Sequence, residues 1–151
     1  MSRCGGIKLI IYTDGSCSGN PGRGGYGVVI LDDNENIIRT ISWPEKNLTT
    51  NNREELKAIL YVMKNYGREQ STPVVYSDSN YAVQTLNDWM FRWAKNNWKR
   101  SRNQIPENLD IIQEYYNLYQ QGYRIILNYI KGHNGHKWNE MADKLAKGEL
   151  K

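Results

Sequence analysis

The chain has 151 residues, enough for one domain spanning 1–151 that buries about two thirds of the surface its unfolded chain would expose. A net charge of +4 and a pI near 9.0 lean toward a polyanionic partner. Cys4 and Cys17 cannot make a disulfide framework, no apolar run nears the ~18 residues of a membrane span, and the N-terminus lacks a signal-peptide layout, so a soluble cytoplasmic protein is expected, with no membrane partner.

The first stretch, Ile7 to Leu31, reads IKLIIYTDGSCSGNPGRGGYGVVIL. Leu9 to Tyr12 form a short apolar run that predicts a strand buried on both faces. Asp14 stands where that run ends. The ionised form of an acid beside a buried strand costs several kcal/mol unless something compensates, and a bound cation does so naturally; Asp14-Gly15 as an ordinary turn pair is the plain alternative. Gly15, Gly19, Gly22, Gly24 and Gly25, with Asn20-Pro21, predict a loop almost without side chains whose backbone can approach a ligand. Tyr26 to Leu31 then restart as an antiparallel second strand. Asp32 to Asn36 is a polar turn, and Ile37 to Trp43 a third strand.

Thr49 or Thr50 suits the N-cap of a helix in which Leu56, Ile59, Leu60 and Met63 recur at i, i+3, i+4, i+7, ending near Gly67. Glu55 falls at the margin of its buried face. Glu54, about 100° further round, is expected to point to water. After Pro73, Val74 to Tyr76 is a short strand ending in Ser77-Asp78-Ser79. A strand reached through a helical crossover runs parallel to its neighbour. If that neighbour is the first strand, Asp14 and Asp78 lie side by side at the carboxyl ends, where open α/β sheets gather ligands. Two carboxylates so close repel unless they share a proton or a metal.

Tyr81 to Leu86 begins a helix that runs into Trp89 to Arg102, which holds three tryptophans, five Lys or Arg and no acid. Either the tryptophans pack in the core with the cations solvated, or the segment offers stacking and charge to sugars, bases and phosphates. Pro106 suits the first turn of a further helix, with Glu107 and Asp110 at its positive end and Leu109, Ile112, Tyr116 and Tyr119 as its buried stripe. Tyr123 to Ile130 is the last strand, followed by the loop Lys131 to His136. The final helix buries Trp138, Met141, Ala142 and Leu145, with Asp143 beside the stripe.

Four acids, Asp14, Glu55, Asp78 and Asp143, therefore sit at strand ends or beside buried helical faces. Such hard oxygen ligands suit Mg²⁺ or Mn²⁺. His133-x-x-His136 could suggest zinc, but both cysteines lie far away in the sequence. His133, in a glycine-bearing loop, reads either as a mobile proton carrier or as a plain surface histidine.

YTDGSCSGNPGRGGYG, TTNNREEL, YSDSNYAV, the tryptophan/basic segment and KGHNGHKWNEMADKLA, in this order over essentially the whole chain, resemble ribonuclease H type 1 of the cellular kind with a basic protrusion. The resemblance implies an α/β fold: a five-stranded mixed sheet, three antiparallel strands and then parallel ones, flanked by helices. It implies Asp14, Glu55, Asp78 and Asp143 as metal-binding catalytic acids and His133 as the loop histidine of product departure or proton transfer. Asn20, Asn51, Asn52 and Asn80 match positions that touch the minor groove and RNA 2′-hydroxyls. Thr50 and Asn108 match the pocket for a DNA phosphate, and Trp89 and Trp93 the channel that packs on DNA sugars. Lys95, Lys99 and Arg100 are the cations expected to clamp phosphates. Where the family often has small or apolar residues, Glu54 precedes the catalytic glutamate.

The expected activity is endonucleolytic hydrolysis of the RNA strand of an RNA–DNA hybrid by a monomer. Two Mg²⁺ ions, about 4 Å apart with substrate bound, would serve it, with Mn²⁺ as a substitute. Products would carry 5′-phosphate and 3′-hydroxyl ends. A non-catalytic hybrid-binding module is opposed by four acids placed where phosphates must approach. A transposase- or resolvase-like nuclease is not supported by TTNNREEL or the tryptophan segment. Fold alone would not separate these.

Overall fold

A computed structural model describes residues 7–132 and 135–150 of the chain. Its centre is a five-stranded sheet in the order β3-β2-β1-β4-β5. β1 (Ile10–Gly19), β2 (Gly22–Leu31) and β3 (Ile37–Pro44) form an antiparallel meander. β4 (Val74–Ser77) pairs parallel with β1, and β5 (Ile126–Tyr129) pairs parallel with β4. This is the mixed sheet that the resemblance implies.

The glycine-rich stretch differs from the loop expected of it. β1 and β2 stay paired up to Gly19–Gly22, so only Asn20 and Pro21 turn the chain. The glycines serve close packing there, and Gly15 shows how tightly: a Cβ on it would lie 2.3 Å from the Glu55 backbone nitrogen.

Alternation along the strands splits the core in two. Leu9, Ile11, Val28 and Ile30 face α1 (Asn51–Tyr66), and Tyr12, Val29 and Leu31 face α5 (Lys137–Ala146). The α1 stripe, Leu56, Ile59, Leu60 and Met63, is buried throughout. Thr50 is its N-cap: the side-chain oxygen accepts from the Arg53 N–H at 3.2 Å. On α5, Trp138, Ala142 and Leu145 are buried, while Met141 is only partly so.

Between the parallel strands and α4 (Leu109–Gln120), the chain makes α2 (Asn80–Gln84), a π-helical turn Thr85–Trp89 and α3 (Met90–Lys95). The helix stops at Lys95 because Asn97 and Trp98 have positive φ, so the rest of the basic segment is not α-helical and holds only a short 3₁₀ turn at Ser101–Asn103. α4 starts after Pro106 rather than on it, with Asn108 left-handed at its N-cap, and it buries Ile111, Ile112 and Tyr115. Tyr116 and Tyr119 of the expected stripe lie at its edge, edge-on to Phe91. β5 begins three residues later than the apolar run, at Ile126, where pairing with Val74 starts.

Candidate active site

The carboxyl ends of β1 and β4 are adjacent because the two strands are parallel, with Thr13 opposite Ser77. Asp14 and Asp78 each follow that pair by one residue. α1 brings Glu55 down from above, and a carboxylate oxygen from each of Asp14, Glu55 and Asp78 lies within 4.8 Å of the others. Asp143 of α5 lines the same cleft, about 470 Å³ in volume, together with Asn51, Lys131, Gly132 and Lys147. Its carboxyl lies close enough to add to the rise in the Asp14 pKa. The four acids thus meet in one cleft, three of them in a tight group.

Close packing holds the acids in place. The Gly15 N–H donates to Asp14 Oδ1 at 2.9 Å and to Glu55 Oε1 at 3.0 Å. Gly132 covers Asp78, where a Cβ would come within 2.5 Å of Oδ2. Asp14 is 4% exposed and Glu55 9%. Burial, together with the Glu55 and Asp78 carboxylates, pushes the Asp14 carboxyl up to about 11. Burial and then Asp78 also raise Glu55 well above the ordinary carboxylate range. Mutually destabilised oxygen ligands of this kind fit a hard divalent cation.

Lys147 carries the one cation paired to this group among the described residues, its Nζ 3.1 Å from Asp143 Oδ2. Sequence reasoning missed it, although i, i+4 spacing from Asp143 on a helix is a readable signal. His133 lies outside the described residues, so the structure does not place it. The His136 ring packs at a tilt against Tyr12 with centroids 5.0 Å apart, and no cysteine joins it among the described residues.

Glu54 corrects the sequence reading. It is not turned to water but is fully buried, 0% exposed. Gly15 lets β1 run close under the first turn of α1, and Glu54 is enclosed there beside Thr49. The Thr49 hydroxyl donates to its Oε2 at 2.6 Å. Burial raises its pKa, partly offset by that hydrogen bond, with Glu45 adding to the rise.

The other expected residues form two groups. Asn20 at the hairpin tip accepts from the Asn51 N–H at 3.3 Å, with Asn52 next along α1. Asn80 is exposed at the start of α2, just beyond Asp78. A groove of about 420 Å³ gathers Asn52, Trp89, Trp93 and Arg100 with Tyr81 and Glu107. The Trp89 and Trp93 centroids are 6.1 Å apart, at the i, i+4 spacing. Asn108 joins this side by donating to the Tyr81 hydroxyl at 3.2 Å and accepting from Arg53 Nη1 at 3.4 Å. Arg53 thereby links Thr50, through its backbone, to Asn108, a bridge not anticipated from the sequence. Lys95 and Lys99 are exposed. Trp98 instead packs edge-on against Tyr116 at 5.1 Å, the packing role expected as one reading of the tryptophan segment.

Comparisons agree with this geometry. The ribonuclease H family model matches residues 7–151. A ribonuclease H of Acetivibrio thermocellus is 40% identical over 145 residues, covering 95% of both chains. One of Rickettsia bellii is 42% identical over 141 residues, covering 92% of this chain and 86% of its own. Among solved structures, LC9-RNase H1, described as a type 1 enzyme with the type 2 active-site motif, superposes with a TM-score of 0.78 at 30% identity over 97% of this chain and 74% of its own. LC11-RNase H1, solved in complex with an RNA/DNA hybrid, shares the fold with a TM-score of 0.70 at 24% identity, covering 93% of this chain and 95% of its own. The chain belongs to the ribonuclease H family, type 1, a family of endoribonucleases.

Proposed function

We propose that the chain hydrolyses the RNA strand of RNA–DNA hybrids, leaving 5′-phosphate and 3′-hydroxyl ends. The observation that carries this is the meeting of Asp14, Glu55 and Asp78 within 4.8 Å at the end of the parallel strand pair. Asp14, Glu55 and Asp78, with Asp143 beside them, would hold Mg²⁺, or Mn²⁺ in its place. When bound, the metal supplies charge stabilisation at the scissile phosphate and a water of lowered pKa.

The chain's own residues do the rest. The Gly15 N–H orients both Asp14 and Glu55, so the acids need no reorganisation when the cation arrives. Lys147 beside Asp143 offsets part of the local negative charge as a phosphate approaches. Asn20, Asn51, Asn52 and Asn80 take the edge of the RNA strand, where amides can meet 2′-hydroxyls. The groove of Trp89, Trp93 and Arg100 takes the DNA strand by sugar packing and charge, and Thr50 and Asn108 flank its phosphate pocket. Lys95 and Lys99 extend the clamp. His133 keeps the proton-carrying role that its sequence motif implies.

The alternative, a module that binds hybrid without cleaving it, is disfavoured by the acid cluster, which repels phosphates unless a cation intervenes. The test is strand-labelled RNA–DNA hybrid incubated beside matched duplex DNA and duplex RNA with Mg²⁺. Only the RNA strand of the hybrid is expected to be cut; equal cutting of duplex DNA would favour a general nuclease.

A further inference from the structure

The sequence NNREEL places two glutamates in succession, and the first is the less solvent-exposed. Among the described residues Glu54 has one hydrogen-bond donor, the Thr49 hydroxyl at 2.6 Å, and its Oε1 has no partner. A carboxylate this short of partners is costly to keep in the interior, so its one contact is informative.

Thr49 is a junction. Its N–H donates to Gly22 O and its carbonyl accepts from the Gly22 N–H, both at 2.9 Å. This isolated antiparallel bridge ties the segment before α1 to the end of the β1–β2 hairpin. The Cys17 thiol also donates to the Thr49 carbonyl at 3.2 Å. Two residues before Gly22 stands Asn20, and two residues after Thr49 stands Asn51, whose N–H reaches Asn20 Oδ1 at 3.3 Å. A hydroxyl bound to a buried carboxyl oxygen is low in freedom, which makes it an effective peg for such a junction.

We propose that Glu54 is a positioning residue for substrate: by holding the Thr49 hydroxyl it fixes the spacing between Asn20 on the hairpin and Asn51–Asn52 on α1, and so sets affinity for the hybrid rather than the rate of chemistry. This rests on the hybrid-cleavage reading above. Glu54 points away from the acid cluster toward Thr49, while Glu55 is oriented separately by the Gly15 N–H, so the two neighbouring glutamates have separable tasks.

The experiment is steady-state cleavage of a labelled hybrid with Mg²⁺ by the full chain and by Glu54→Ala, Glu54→Gln, Thr49→Val and the Glu54→Ala/Thr49→Val pair. The expected result for Glu54→Ala and Thr49→Val is a KM raised about five- to tenfold, the scale of one hydrogen bond, with kcat within about twofold. Glu54→Gln, which keeps an acceptor oxygen, restores KM to near the wild-type value. The pair is no worse than either single change, since both remove the same bond. An unchanged KM with only a lowered Tm would reduce Glu54 to a fold-stabilising role, and a kcat that falls as far as kcat/KM would show that it acts through Glu55. Either result overturns the proposal. If Glu54→Ala does not fold, Thr49→Val and Glu54→Gln decide alone. A wild-type chain that does not cut hybrid defeats the functional reading itself, whereas an active wild type with variants of unchanged KM defeats only this inference.

Discussion

Asp14 and Glu55 share a single donor, the Gly15 backbone N–H, at 2.9 and 3.0 Å. One peptide group therefore sets the distance between an acid on a strand and an acid on a helix. It can do so only because residue 15 lacks a side chain.

Gly15→Ala tests that relationship. The added methyl would lie 2.3 Å from the Glu55 nitrogen and 2.5 Å from the Glu54 carbonyl carbon, so α1 has to move off β1. Overpacking of this kind costs about 1–3 kcal/mol. A lowered melting temperature is expected, with hybrid cleavage at least about tenfold slower, on the scale of a misplaced catalytic group. Calorimetry and initial rates check it; wild-type rates in a destabilised protein would show that the shared donor does not matter to chemistry.

Asp14→Asn is expected to abolish turnover and to stabilise the metal-free protein. The pH dependence has a definite sign. Asp14 titrates near its ordinary value when unfolded, about 3.9, and is raised to about 11 when folded. Its favourable contribution is complete below the unfolded value and is lost as pH rises toward the folded one. The melting temperature of Asp14→Asn minus that of wild type, in chelator, should therefore grow from pH 5 to pH 9. A difference that shrinks over that range would contradict the assigned burial and repulsion.

Mg²⁺ held by the proposed acids would remove the same repulsion by another route. Its stabilising effect on the wild type should be larger at pH 8 than at pH 5, because ligand carboxyls must lose their protons to bind. Thermal melts across a Mg²⁺ series at the two pH values measure this. Equal shifts at both would argue that the cation binds elsewhere.

The clamp is tested by Lys95→Ala, Lys99→Ala and Arg100→Ala together. Hybrid binding should weaken, with the slope of log affinity against log salt reduced by about one unit or somewhat less per lost phosphate contact. The melting temperature should stay unchanged, since all three residues are exposed. Arg92 is left out of the set because it is paired with Asp88 at 3.2 Å; its side chain is 73% exposed, so it does not pack between helices as its long aliphatic stem would allow. Equal salt slopes for variant and wild type would confine the tryptophans to packing.

Much of the site was legible because strand ends and helical periodicity are local. Asp14 and Asp78 follow apolar runs, and Glu55 stands one position from Leu56 of a regular stripe. The burial of Glu54 is not legible in the same way, because periodicity gives the face of a helix but not what lies against it; the close approach at Gly15 and the Thr49 junction are tertiary facts. The length of the hairpin is hidden for a related reason, since glycines that signal turns also permit two layers to touch. The break after Lys95 has no single residue to announce it. It depends on positive φ at Asn97 and Trp98, and only asparagine takes such a conformation readily.

The most direct measurement of the central claim is hydrolysis of an end-labelled RNA strand in a hybrid by wild type and Asp14→Asn, each with Mg²⁺ and with chelator. The acid cluster as a metal-dependent hydrolytic centre predicts cutting by wild type with Mg²⁺ alone, and none in the other three reactions. Cleavage that persists in chelator, or in Asp14→Asn at near the wild-type rate, would contradict it.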